Sequence, residues 1–180
     1  MIINRTHKFM FFAEPHTASR ACSRMLETIE GSESVGKHHM THEEGIANGQ
    51  LPARGYVRFA VIRDPREIIA SQIARLAYVG KVIKDSPSKA ELVERYVRFY
   101  CVRPKQFEHD YVDFKLRYEQ LEPQLYDPLH RVGVKPIPAL GRNPHESTKE
   151  RKPWWHYFSK EQTERIYRDI PEVELFRDGI

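Results

Sequence analysis

Lys8-Phe9-Met10-Phe11-Phe12-Ala13, running into Glu14-Pro15-His16-Thr17-Ala18-Ser19-Arg20, is the stretch that decides the fold. An unbroken apolar run of strand length predicts a strand buried on both faces. The residues after it open a helix from Ser19 or Arg20 to Glu30, with Met25, Leu26 and Ile29 as its apolar stripe. The pattern then recurs. Tyr56 to Ile62 is a second apolar strand, leading into Arg63-Asp64-Pro65-Arg66. Asp64 reads as an N-cap and Pro65 as the first helical residue, with Ile68, Ile69, Ile73, Leu76 and Ala77 inward up to Gly80. At both junctions the free N–H groups of a helix start, together with its dipole, attract anions. Two such junctions in one chain predict a ligand with phosphate at both ends.

The rest of the chain continues the alternation. Gly31 to Gly36 reads as a polar turn. Thr41 and Glu44 fit a capping box for a short helix ending near Asn48-Gly49. Ser86-Pro87 opens a helix with Leu92, Val93, Tyr96, Val97 and Tyr100 on one face, ended by Pro104. Val112 to Arg117 alternates like a strand. Residues 122–153 hold six prolines (Pro123, Pro128, Pro136, Pro138, Pro144 and Pro153) and read as loop-rich. Ser159 with Gln162 caps a last helix through Asp169. Strands alternating with helices predict an α/β fold with a central, mainly parallel sheet, whose ligands bind beyond the carboxyl ends of the strands.

Bulk properties narrow the class. A chain of 180 residues suits a single domain, 1–180, able to bury a real core. The net charge of +4 suits a small anionic ligand and falls short of a dedicated nucleic-acid face. Cys22 and Cys101 are too few and too isolated for a disulfide framework or a zinc site, which predicts a reduced, cytoplasmic setting. The apolar block at 9–13 is too short for a signal peptide or a membrane span, so neither is expected.

The first junction is not a Walker A loop. That loop needs Gly-x-x-x-x-Gly-Lys-Ser/Thr, and no glycine occurs between Met1 and Glu30. What remains is a compact turn in which Thr17, Ala18 and Ser19 let backbone amides approach an anion, with His16 and Arg20 adding positive charge.

At these residues the chain resembles the sulfotransferases that use 3′-phosphoadenosine 5′-phosphosulfate (PAPS), most of all their carbohydrate-type members. Pro15-His16-Thr17-Ala18-Ser19-Arg20 is similar to the family's 5′-phosphosulfate loop, Pro-Lys-Thr-Gly/Ala-Ser/Thr-Ser/Thr. Phe59-Ala60-Val61-Ile62-Arg63-Asp64-Pro65, with Ser71 eight residues after Arg63, is similar to its 3′-phosphate motif. Leu116-Arg117-Tyr118-Glu119-Gln120-Leu121 resembles its Arg/Lys-Tyr-Glu-Asp-Leu segment. Asn143 to Phe158 looks like the segment that closes over the nucleotide.

The resemblance implies a P-loop-NTPase-like three-layer α/β fold and a transferase moving a sulfuryl group from PAPS to an acceptor hydroxyl, leaving adenosine 3′,5′-bisphosphate. Thr17, Ala18, Ser19, Arg20 and His16 would hold the 5′-phosphosulfate. Arg63 would offer a planar fork to the 3′-phosphate and Ser71 a hydroxyl, with Lys149 and Arg151 within reach of the same group. The competing reading pairs Arg63 with Asp64 or Glu67. His16 departs from the usual Lys. With a reference pKa of about 6.5 it is cationic only part of the time, and it can instead donate a hydrogen bond or act as an acid.

The acceptor's proton needs a base. His39, between the two phosphate motifs and just outside the capping box, is the first choice and His38 the second. His38 and His42 also stand at a helical metal-ligand spacing, but no third ligand is evident and no metal is required. Trp154, Trp155, Tyr157 and Phe158 read as core or lid before they read as an adenine platform.

The acceptor is a sugar, a small alcohol or phenol, or a peptide tyrosine, with neither nucleic acid nor membrane as partner. The rival readings are a weakly active or inactive nucleotide-binding module, a nucleoside-phosphate transferase and, last, a metalloprotein built on the histidines.

Overall fold

The computed structural model describes residues 1–15, 17–36, 40, 42–52, 54–79, 89–102, 110–141 and 153–179, without the side chains of 75–79, 89–90 and 177–179. The chain divides into two compact units. One comprises Met1–Arg63 with His109–Ser147, the other Asp64–Glu108 with Thr148–Ile180.

The first unit is built on a five-stranded sheet of β1 (Ile2–Asn4), β2 (Phe9–Phe12), β3 (Ser32–Ser34), β4 (Val57–Ile62) and β5 (Phe114–Arg117), in the order β3-β1-β2-β4-β5. β2 pairs with β4 in parallel, from Phe9↔Val57 to Phe12↔Ala60, and β4 with β5 in parallel, from Phe59↔Phe114 to Ile62↔Arg117. β1 is antiparallel to both β2 and β3. The fold class is therefore α/β with a mixed sheet. Its parallel part is the β2-β4-β5 half, a correction to the mainly parallel sheet expected.

Residues 31–36 also differ from expectation, because Ser32–Ser34 forms an edge strand rather than a turn. A polar edge strand carries no apolar alternation to reveal it. Its pairing is with the backbone of β1.

Both faces of the sheet are covered. Alternation along β2 sends Phe9 and Phe11 to one face and Met10 and Phe12 to the other. Phe9 and Phe11 join Phe59, Val61 and Leu116 in a core shared with Cys22, Met25 and Leu26 of α1 (Ser19–Glu27) and Leu121, Leu125 and Leu129 of α5 (Leu121–Arg131). Met10 and Phe12 pack with Met1, Ile3, Ala60, Met40 and Leu51. The short helix α2 (His42–Ala47) closes on that second core at Gly45, where a Cβ would fall 2.3 Å from Leu51 Cδ1.

α5 corrects the loop-rich reading of residues 122–131. Pro123 occupies the first turn, where its missing N–H has no partner to lose. Pro128 inside the helix forfeits one backbone bond, but the buried row Leu121, Leu125, Leu129 outweighs it.

The second unit is helical. It holds α3 (Pro65–Val79), α4 (Lys89–Cys101), α6 (Lys160–Asp169) and short 3₁₀ turns at Trp154–His156 and Pro171–Gly179. Ile68, Ile69 and Ile73 of α3 meet Val93, Val97 and Tyr100 of α4 and Ile166 of α6. Asp64 caps α3 as expected, accepting the Arg66 N–H at 2.9 Å. Ser159 and Gln162 form the expected capping box on α6.

Arg66 is the largest side chain fully withdrawn from solvent. Its guanidinium donates to both Asp64 oxygens, at 2.6 to 3.0 Å, and also to the Tyr167 hydroxyl. It lies 4.3 Å from the centre of the Trp154 ring. Trp154 is thus part of the packing around a buried cation, and Tyr157 and Phe158 pack against the same core. Among the described residues no helix is long and apolar enough to cross a membrane.

Candidate active site

Because β2 and β4 are parallel, hydrogen-bonded neighbours, their carboxyl ends lie on the same edge of the sheet, about 5 Å apart. The residues that follow them include Ala13 to Ser19 of the first motif and Arg63 of the second. These belong to the first unit, whereas Asp64, Pro65 and Ser71 of the second motif belong to the other.

The first junction is a tight turn. Thr17 is buried and its hydroxyl donates to the Glu14 carbonyl at 2.9 Å. Ala18 then adopts the left-handed conformation, φ 58 and ψ 19, and its carbonyl accepts from Ala21 and Cys22 at the start of α1. For a residue with a Cβ that conformation costs roughly 1–2 kcal/mol. The Ala18 methyl packs against the main core in return.

With an alanine at the N-cap position, α1 begins with no side-chain cap hydrogen bond, and its first turn carries no acidic residue. Ser19 is buried at this helix start and Arg20 is exposed. Uncapped N–H groups beside small side chains are the makings of an anion cradle.

At the second junction Arg63 is 9 % exposed and its guanidinium lies 4.0 Å above the centre of the Tyr118 ring. The register explains the meeting. Ile62 pairs with Arg117, so Arg63 and Tyr118 are the next residues along two adjacent parallel strands. The segment from Leu116 to Leu121, which the sequence offered as a third motif, thus meets the second in space. Asp64, one partner in the competing reading of Arg63, is forked by Arg66. Ser71 is half-buried on α3, in the second unit.

The chain matches no family model, no curated protein and no solved structure.

His16, His38, His39, Lys149 and Arg151, all expected at the site, lie outside the described residues, as does Thr41 of the expected capping box. Among the described residues no three His, Cys, Asp or Glu side chains are grouped to hold a metal ion.

One acidic cluster went unnoticed in the sequence. Glu14, at the exit of β2, accepts a hydrogen bond from the Tyr111 hydroxyl at 3.2 Å through Oε1. Tyr111 lies flat on the His42 ring, with centroids 5.3 Å apart and planes 5° from parallel. Phe12 meets both rings edge-on.

Burial pushes the Glu14 carboxyl up to about 7, against the lowering effect of the Tyr111 hydrogen bond. Burial also pushes the Tyr111 phenol up, reinforced by the Glu14 and Glu43 charges. The His42 imidazole is pulled down by burial and by the Arg58 charge, with Glu43 opposing. A carboxylate directly after an apolar strand, at the entrance to a cationic loop, was the available signal.

Proposed function

We propose that the protein is a PAPS-dependent sulfotransferase, moving a sulfuryl group from PAPS to the hydroxyl of a sugar or other small molecule. The observation that carries the reading is the parallel β2–β4 pairing. It brings the turn at Thr17–Ser19 and the Arg63 guanidinium to one edge of the sheet, as a ligand with phosphate at both ends requires.

The donor set suits such a ligand. Thr17, Ala18, Ser19 and the uncapped amides of α1 would hold the phosphosulfate, with Arg20 adding charge. Arg63, held flat on Tyr118, would present its fork to the 3′-phosphate. The sequence motifs alone add Ser71, Lys149 and Arg151 to the phosphate ligands and His16 to the phosphosulfate end. The P-loop-NTPase-like identity of the fold and a cytoplasmic location belong to the same proposal.

Catalysis in this reading is positioning and electrostatics. The amides and cations stabilise the charge growing on the departing phosphate, and the loop keeps the sulfur in line with the acceptor oxygen.

Thermal-shift titration tests the reading at its base. PAPS and adenosine 3′,5′-bisphosphate should raise the melting temperature where ATP with Mg²⁺ does not, and labelled sulfate should pass from PAPS to a hydroxyl acceptor. Stabilisation by ATP alone would point to a nucleoside-phosphate transferase. Bisphosphate binding without transfer to any acceptor would leave a nucleotide-binding module.

A further inference from the structure

We propose that the Glu14 carboxylate is the general base that takes the proton of the acceptor hydroxyl, with Tyr111 as the residue that positions it. The inference rests on the sulfotransferase reading and replaces His39 in the role expected of it.

Placement comes first. Glu14 is the second residue after β2, and its carbonyl is bonded to Thr17 of the anion turn. Base and turn are therefore tied together at the carboxyl edge of the sheet. Glu14 is half-buried, and its hydrogen bond from Tyr111 engages one carboxylate oxygen, Oε1. Tyr111 is held by its flat stacking on His42 and by the edge of Phe12, so the carboxylate is aimed by a locked phenol.

The energetics speak against a purely structural part. A half-buried carboxylate with one neutral donor among the described residues opposes folding when ionised. It also repels any anion bound in the adjoining turn. Groups kept under such conditions concentrate at functional sites. Burial tunes this one to about 7, where a base is most effective in neutral solution. Among the described residues the charged groups acting on the cluster are Glu43 on α2, which raises the Tyr111 phenol and opposes the lowering of His42, and Arg58 on β4, which adds to burial in lowering the His42 imidazole.

The step balances. The acceptor oxygen forms its bond to sulfur while the S–O bond to the 5′-phosphate breaks, and that electron pair leaves with the phosphate. The hydroxyl proton passes to Glu14, which later releases it to solvent.

The test pairs transfer rates with bisphosphate binding in wild type, Glu14→Gln and Tyr111→Phe. Glu14→Gln retains an oxygen for Tyr111 and removes the proton acceptor. It should lose roughly 100-fold or more of kcat, while adenosine 3′,5′-bisphosphate binds as well as in wild type or better. The wild-type kcat/KM for acceptor should rise with pH to a plateau above about 7, and Tyr111→Phe should move that inflection upward, since the lost hydrogen bond lowers the carboxyl. Glu14→Gln transferring within a few-fold of wild type, or keeping the same inflection, would overturn the assignment while the binding reading stands. Wild-type protein that fails to bind the bisphosphate would overturn both together.

Discussion

The two units bury charge in opposite ways. In the helical unit Arg66 is fully buried and fully answered: Asp64 takes its fork, the Tyr167 hydroxyl accepts, and Trp154 covers its face. Asp64 serves twice, as ion-pair partner and as the cap of α3. In the sheet unit Glu14 is half-buried with the Tyr111 hydroxyl as its donor among the described residues, beside a left-handed alanine and an uncapped helix start. A satisfied buried charge holds a fold together. Strain and incomplete compensation, gathered at one sheet edge, mark the place kept for a ligand.

The comparison breaks most sharply at Arg66. Arg66→Ala strands the Asp64 carboxylate and opens a void between Tyr167 and Trp154. It should cost about 3–5 kcal/mol of stability, read by urea or guanidinium unfolding. A loss below 1 kcal/mol would mean that the pair is not buried as described.

The sheet unit should respond in the reverse sense. The Glu14 carboxyl lies at about 7 in the folded chain against an ordinary 4.5. Its contribution to stability is therefore complete below pH 4.5 and is lost as pH rises to 7. Glu14→Gln removes that loss. At pH 8 the variant should be about 1–3 kcal/mol more stable than wild type, with the advantage gone below pH 4.5. An equal difference at both pH values would show that the carboxyl is not perturbed. A variant more stable and less active would also be the expected signature of a functional site.

Much of this was legible in the sequence, for reasons that differ by element. β2 and β4 announce themselves because parallel strands buried on both faces read as unbroken apolar runs. Asp64-Pro65 and Ser159 with Gln162 are local cap chemistry, readable without any tertiary knowledge. β3 was hidden because Ser32-Glu33-Ser34 contributes backbone pairing and no apolar face. α5 was hidden because two prolines outweigh three leucines when the core they fill is unseen. The cluster at Glu14 was hidden for a third reason. Tyr111 and His42 are distant in sequence from Glu14, and only their packing against Phe12 on one face of the sheet brings them to it. Likewise nothing local in the sequence shows that Arg66 forks Asp64 or that the Arg63 guanidinium lies on Tyr118.

Everything functional depends on Arg63 serving the far phosphate of a ligand whose near end sits in the Thr17–Ser19 turn. Calorimetric titration of adenosine 3′,5′-bisphosphate and adenosine 5′-monophosphate into wild type and Arg63→Ala measures this most directly. Wild type should prefer the bisphosphate by roughly 10- to 100-fold, the value of a charge-assisted contact. Arg63→Ala should lose most of that preference, binding the bisphosphate close to the weaker affinity. An undiminished preference in Arg63→Ala would contradict the account.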